Sequence, residues 1–181
     1  GIGLLLERQV KTVATYSWMI LVVGALVVLM GNRPLRPAID GFDLLYEGES
    51  AYNYIQVQED QNGYRYLFLN EGQGVHSQWH PTDIYYQRTW DFFLAAPYFN
   101  AEFVPDEMDS MLVVGLATGT IPRQHIAVYG DIPIDGVEID PDIIEVGADF
   151  FQMNETYMPS LTTYAQDGRY VLNQLDREYT V

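Results

Sequence analysis

Leu112-Val-Val-Gly-Leu-Ala-Thr-Gly119, Ile134-Asp-Gly-Val-Glu-Ile-Asp140 and Leu161-Thr-Thr-Tyr-Ala-Gln-Asp-Gly168 decide the fold of this chain. Ser110-Met-Leu-Val-Val114 is continuously apolar, as a strand covered on both faces of a parallel sheet is. Gly115-Leu-Ala-Thr-Gly119 then makes a turn, and residues 121–129 suit a helix. Ile134-Asp-Gly-Val-Glu138 is a second strand, followed over 141–153 by an amphipathic helix with Pro141 at its first position. Leu161-Thr-Thr-Tyr-Ala165 is a third strand, 168–175 a helix and Tyr179-Thr-Val181 the start of a fourth strand. Strand alternating with helix predicts an α/β, doubly wound parallel sheet.

Upstream the pattern changes. Tyr52-Asn-Tyr-Ile-Gln-Val-Gln58 alternates, Gln61-Asn-Gly63 supplies a turn, and Tyr64-Arg-Tyr-Leu-Phe-Leu69 follows. That is a β-hairpin signature. Gly72, Gly74 and Pro81 punctuate a stretch with room for one more short strand, and 83–99 reads as an aromatic-rich helix ended at Pro97. Further upstream, residues 12–32 carry no charge and are apolar all round a helix. At about 1.5 Å per residue such a helix covers roughly 30 Å, the thickness of a bilayer core. Tyr16 and Trp18 at one end and Arg33 and Arg36 at the other suit the two interfaces. A signal peptide and a buried core helix are the other readings. The expected organisation is thus a membrane anchor over 1–39 with its span at about 12–32, a small β domain with a linking helix over 40–100, and the first half of a Rossmann-like domain over 101–181. Membrane lipid becomes an expected partner and the membrane the expected location, single-pass here, with a multi-span parent left open.

Composition narrows the functions. Among 181 residues, 9 Lys and Arg stand against 25 Asp and Glu, a net charge of −16. The first 39 residues carry +3 and the remainder −19. So acidic a domain opposes nucleic-acid binding, which needs a basic surface for phosphates. With no cysteine, disulfides, thiol nucleophiles and thiolate-bound zinc are excluded. A hydrophobic share of 48% supports a packed core rather than disorder.

Three features at strand ends carry chemistry. The turn from Gly115 to Gly119 lets backbone approach a nucleotide-like ligand at a helix start; its plain alternative is a tight turn. Glu138, in Val137-Glu-Ile-Asp140, ends the next strand about 20 residues on, where a carboxylate accepts from ribose hydroxyls; its alternative is a solvated acid. Asp167-Gly168 after the third strand is placed for an adenine edge, or for a helix N-cap. His76 and His80 lie four apart in a loop-rich stretch without an evident third metal ligand, so no metal is expected. His125 reads as surface or helix packing, and Trp79, Trp90, Phe92 and Phe93 as core or interface.

With these residues in view, Leu112-Val-Val-Gly-Leu-Ala-Thr-Gly119, Val137-Glu-Ile-Asp-Pro141 and Asp167-Gly-Arg169 resemble the polyamine aminopropyltransferases, the spermidine synthase-like proteins. Glu49-Ser-Ala-Tyr-Asn-Tyr-Ile55 resembles the entry into that family's β domain, Gly63-Tyr-Arg-Tyr-Leu-Phe-Leu69 its second strand, and Tyr85-Tyr86 a pair in membrane-fused relatives. The resemblance covers residues 47–181. It implies a methyltransferase-type Rossmann fold and decarboxylated S-adenosylmethionine as co-substrate, with a polyamine as acceptor. It implies that Gly115, Thr118 and Gly119 face the ligand's tail, that Glu138 holds the ribose with Asp140 supporting it, and that Asp167 and Gly168 meet the adenine. Tyr52, Asn53 and Tyr86 fall on the acceptor side. Thr118 stands where the family usually carries Asp, and Asn53 where it usually carries Gln. The family's general base follows the fourth strand, so no catalytic residue is expected within these residues. Activity would need that further segment. The alternative is a non-catalytic subunit of a larger membrane complex. An adenosyl ligand would put the domain on the cytoplasmic side.

Overall fold

Residues 134–138 and 161–165 form strands over the same bounds that the sequence predicts, and the helix between them starts at Pro141 as expected. They belong to a computed structural model that describes residues 2–31, 34–70, 72 and 74–181; in the first helix it describes the side chains of 16–29 and 31. The chain divides into two units, Gly1–Pro37 and Ala38–Val181.

The first unit is one helix, α1 (Ile2–Gly31). The span expected over 12–32 is corrected: among the described residues, no helix is long and apolar enough to cross a membrane. Residues 32 and 33, its expected end, lie outside the described residues. The membrane location expected with the span is corrected with it, and nothing found supports the lipid and membrane-subunit partners.

The second unit holds two sheets. Strands β1 (Phe42–Glu49), β2 (Tyr54–Asp60), β3 (Arg65–Leu69) and β4 (Val75–Trp79) form an antiparallel meander in that order. Gly63, at φ 84°, closes the β2–β3 turn in a conformation that favours glycine. Alternation sends Ile55, Val57, Leu67 and Trp79 to one face, where they pack on Ile143, Val146 and Phe151. Gln56 and Gln58 point to the opposite face, and that face is also buried. Their amides are satisfied there: Gln58 Nε2 donates to Gln56 Oε1, and Gln58 Oε1 accepts from the Ile39 N–H. Burial of both polar amides is tolerated because each is paired.

The helix expected over 83–99 is corrected to a single turn and a half. Here α2 spans Thr89–Phe93, and a 3-10 turn follows at Ala96–Phe99. Asp91 explains the shortening. Its carboxylate accepts from the backbone N–H groups of Tyr86 and Gln87, so the chain before α2 is held in an Asp-capped loop with Gln87 at φ 54°. Of the aromatics, Trp79 is buried, while Phe92 and Phe93 are exposed.

The parallel sheet is β5 (Met111–Val114), β6 (Ile134–Glu138) and β7 (Leu161–Ala165), with α3 (Thr120–Tyr129), α4 (Pro141–Phe150) and α5 (Gly168–Leu172) in the connections. Methionines 108, 111, 153 and 158 fill its core with Val113, Leu116, Ile132 and Ile134. Gly136 is required for packing, because a Cβ there would lie 2.7 Å from a Leu116 methyl. The fourth strand expected from Tyr179 is not formed: 179–181 have no strand structure, but backbone bonds tie their end to β5. Leu112 N donates to Val181 O at 2.8 Å, and Thr180 N donates to Ser110 O. Buried Asp135 holds that segment by accepting from Tyr179 OH at 2.6 Å and pairing with Arg177. His125 is fully buried, and burial lowers its pKa below the ordinary histidine value.

Candidate functional site

The C-terminal ends of β5, β6 and β7 lie side by side, and each leads into a helix start. A sheet wound this way places its ligands at those ends. The turn after β5 is held at several points. Gly115 N and Leu116 N both donate to Val137 O, at 2.8 and 2.9 Å. Thr118 N donates to Ser77 Oγ on β4, and the Gln78 N–H donates to Thr120 Oγ1. The β meander is thereby docked onto the turn. Gly115 and Gly119 adopt φ 87° and 82°, and Ala117 φ 50°. A Cβ on Gly115 would meet open space, whereas one on Gly119 would lie 2.8 Å from Met153 Sδ. The first glycine thus leaves room beside the backbone; the second admits a core methionine.

Glu138 closes the turn from the other side. Its Oε2 accepts from the Ala117 N–H at 2.9 Å, and its Oε1 accepts from Asp140 N. Each carboxylate oxygen takes about two donors, so both retain acceptor capacity. Asp140 is fully buried. It caps α4 through Asp142 N, and its Oδ2 accepts from Ser50 Oγ at 2.6 Å and from Asn53 Nδ2 at 2.8 Å. Asn53 Oδ1 in turn accepts from Asn70 Nδ2. Asp140 therefore ties the entry of the β meander to the end of β6.

Asp167 caps α5, with its Oδ1 accepting from Arg169 N and Tyr170 N. The N-cap alternative is what the structure has, and the second oxygen, Oδ2, makes no hydrogen bond among the described residues. Gly168 is close to β5: a Cβ there would lie 2.6 Å from Val114 Cγ1. Val114 and Ile139, at the ends of β5 and beyond β6, are exposed apolar side chains on the same edge.

The acceptor-side residues divide. Asn53 is in the Asp140 network and Tyr52, half exposed, is its neighbour in the chain. Tyr86 is buried elsewhere: its hydroxyl donates to Asp83 O and accepts from Arg123, and its ring meets Trp90 and Tyr64. Burial raises its pKa above the ordinary tyrosine value. The sequence reading missed Ser50 and Ser77, the hydroxyls that dock the meander on the nucleoside-type edge. Ser50 lies inside the quoted Glu49-Ser-Ala-Tyr-Asn53 stretch; its only signal is a position three residues before Asn53, which suits a side chain closing a turn. Among the described residues no group of three metal-ligating side chains assembles.

No family model matches the chain. A probable polyamine aminopropyl transferase from Bifidobacterium longum (strain NCC 2705) is 36% identical over 143 residues, which are 77% of this chain and 29% of that protein. The chain thus spans less than a third of that relative's length. A probable spermidine synthase from Corynebacterium glutamicum ATCC 13032 superposes with a TM-score of 0.55 at 16% identity, over 75% of this chain and 47% of that one. The spermidine synthase from Thermotoga maritima gives 0.56 at 16% identity, over 82% and 54%. A spermidine synthase solved with the transition state analogue AdoDATO gives 0.55 at 14% identity, over 82% and 55%. The solved structures speak for a spermidine synthase-like fold, and the sequence relative for kinship with a probable polyamine aminopropyl transferase over the 143 matched residues.

Proposed function

We propose that residues 38–181 supply the nucleoside-binding part of an aminopropyl transferase, with decarboxylated S-adenosylmethionine as donor and a polyamine as acceptor. The observation that carries this reading is the pairing of Gly115, open on its Cβ side, with Glu138, latched to the same turn and still able to accept. In this reading the donor's tail lies along Gly115, Thr118 and Gly119. Glu138 accepts from the ribose hydroxyls, and Asp140 holds the Glu138 loop in register. The spare oxygen of Asp167, beside Gly168, accepts from the adenine amine, and exposed Val114 and Ile139 offer the ring apolar surface. Tyr52 and Asn53 line the acceptor side, whereas Tyr86, buried against Asp83 and Arg123, has no part in it. The excess of acids draws a polyamine cation toward the domain.

The reaction is a displacement. A neutral amine nitrogen of the acceptor forms a bond to the methylene beside the sulfonium, the carbon–sulfur bond breaks, and methylthioadenosine leaves as a neutral thioether. The amine then loses a proton to a base; no residue here is assigned to that base. What these residues contribute is position, holding the donor so that approach of the amine is aligned. Support comes from the AdoDATO complex of a spermidine synthase sharing this fold, and from the named activity of the sequence relative.

Titration calorimetry with methylthioadenosine tests the reading. Saturable binding is expected for the wild type, weakened about tenfold or more in Glu138→Ala, since a hydrogen bond to a charged group contributes about 1.5–3 kcal/mol. A wild-type chain that is folded and takes up no methylthioadenosine would refute it.

A further inference from the structure

Arg123 is a half-buried cation that no carboxylate neutralises among the described residues, in a chain of net charge −16. Its neighbour across Trp79 makes the contrast plain. Arg65 lies over one part of that ring at 4.8 Å and is neutralised, with Nε on Glu59 at 2.7 Å and Nη1 on Phe150 O at 2.7 Å. Arg123 lies over the same ring at 5.3 Å, yet its hydrogen bonds are two long ones, to Tyr86 OH and Pro81 O, both 3.4 Å. Charge-assisted bonds to a guanidinium normally close to about 2.7–2.9 Å. Five N–H donors held by stacking and facing two distant neutral oxygens leave a fork with capacity to spare. Burial without an opposing charge lowers the pKa of Arg123 from its usual value.

The guanidinium does not face a wall. Arg123 lines a cavity of about 250 Å³ with Pro81, Gln152, Tyr157 and Met158. Gln152 stands at φ 59°, a costly conformation for a non-glycine residue, and its amide makes no side-chain hydrogen bond among the described residues. The cavity therefore combines one bidentate cation, one free amide and an apolar wall of proline, methionine and a tyrosine ring.

We propose that this cavity is a binding site for a small organic carboxylate, with the carboxylate on the Arg123 fork and the Gln152 amide, and a short apolar body against Pro81, Tyr157 and Met158. A flat carboxylate matches the fork in two parallel hydrogen bonds, and the apolar wall favours a carbon body over a fully hydrated inorganic ion. The site does not rest on the nucleoside reading: none of its lining residues is among those assigned there to the donor.

Benzoate and inorganic phosphate, titrated separately into the full chain and followed by the side-chain N–H resonances of its arginines, test the proposal. Saturable benzoate binding with Kd on the order of 1 mM is expected, with Arg123 as the responding arginine. Arg123→Gln should weaken it about tenfold or more, and Arg123→Lys by less. Tyr157→Ala, at an exposed position that folding tolerates, should weaken benzoate several-fold, and it carries the test if Arg123→Gln does not fold. Overturning results are an absence of saturable benzoate binding, benzoate affinity unchanged in folded Arg123→Gln or Tyr157→Ala, or phosphate bound more tightly than benzoate.

Discussion

Asp140→Ala is expected to lower the unfolding free energy by about 3–5 kcal/mol, as breaking a buried, charged hydrogen-bond network does. The reason is its place between two parts of the second unit. One carboxylate caps α4 and receives both Ser50 Oγ and Asn53 Nδ2 from the β meander, with no exposure to water. Removing it leaves three half-buried donors without their acceptor and frees the entry of the meander from the end of β6. Urea unfolding of both proteins measures the loss. Ser50→Ala alone should cost about 1 kcal/mol, and in a double-mutant cycle the pair should show coupling of about 1 kcal/mol or more. A cost below about 1 kcal/mol for Asp140→Ala would mean that the apolar packing of Ile55, Val57 and Leu67 on α4 docks the meander without it.

Gly119→Ala is the second large effect, at about 2–3 kcal/mol. Part comes from backbone: a side chain at φ 82° costs about 1–2 kcal/mol. The rest comes from the core, since the new methyl would lie 2.8 Å from Met153 Sδ and 2.9 Å from Met153 Cγ. Met153 is flexible and absorbs some of that overlap. Combining Gly119→Ala with Met153→Ala should therefore cost less than the sum of the two single changes, by about 1 kcal/mol. Strict additivity in the unfolding data would remove Met153 as the cause. The same substitution distorts the start of α3, so methylthioadenosine affinity should fall with it.

Much of the parallel sheet could be read from residues alone because its signals are local. The apolar run at 111–114, Pro141 at a helix start and glycines at 115 and 119 each act through their own φ/ψ or their own burial. The β2–β3 hairpin was legible for the same reason, through alternation and Gly63. Residues 83–99 were not. Their composition suits a helix, but Asp91 takes two backbone donors from 86 and 87 and a third, at 2.6 Å, from Gln124 on α3. A contact from 33 residues away outweighs a propensity difference of a few tenths of a kcal/mol per residue. The apolar run of α1 reads as a span by pattern; among the described residues no helix is long and apolar enough to cross a membrane.

For the site, the sequence by itself determined the order of the parts: a glycine turn, a carboxylate at the end of the next strand, and an aspartate before a third helix. Strand–helix alternation with right-handed crossovers leaves those ends nowhere to go but the same edge. Tertiary structure alone decided what each carboxylate holds. Glu138 latches Ala117, Asp140 binds Ser50 and Asn53 across about 90 residues of chain, and Asp167 spends one oxygen on its own helix. It also decided which of two arginines on Trp79 is neutralised and which faces a cavity. Local backbone preference is encoded residue by residue, whereas a hydrogen-bond partner is set by which surfaces the buried apolar faces bring together.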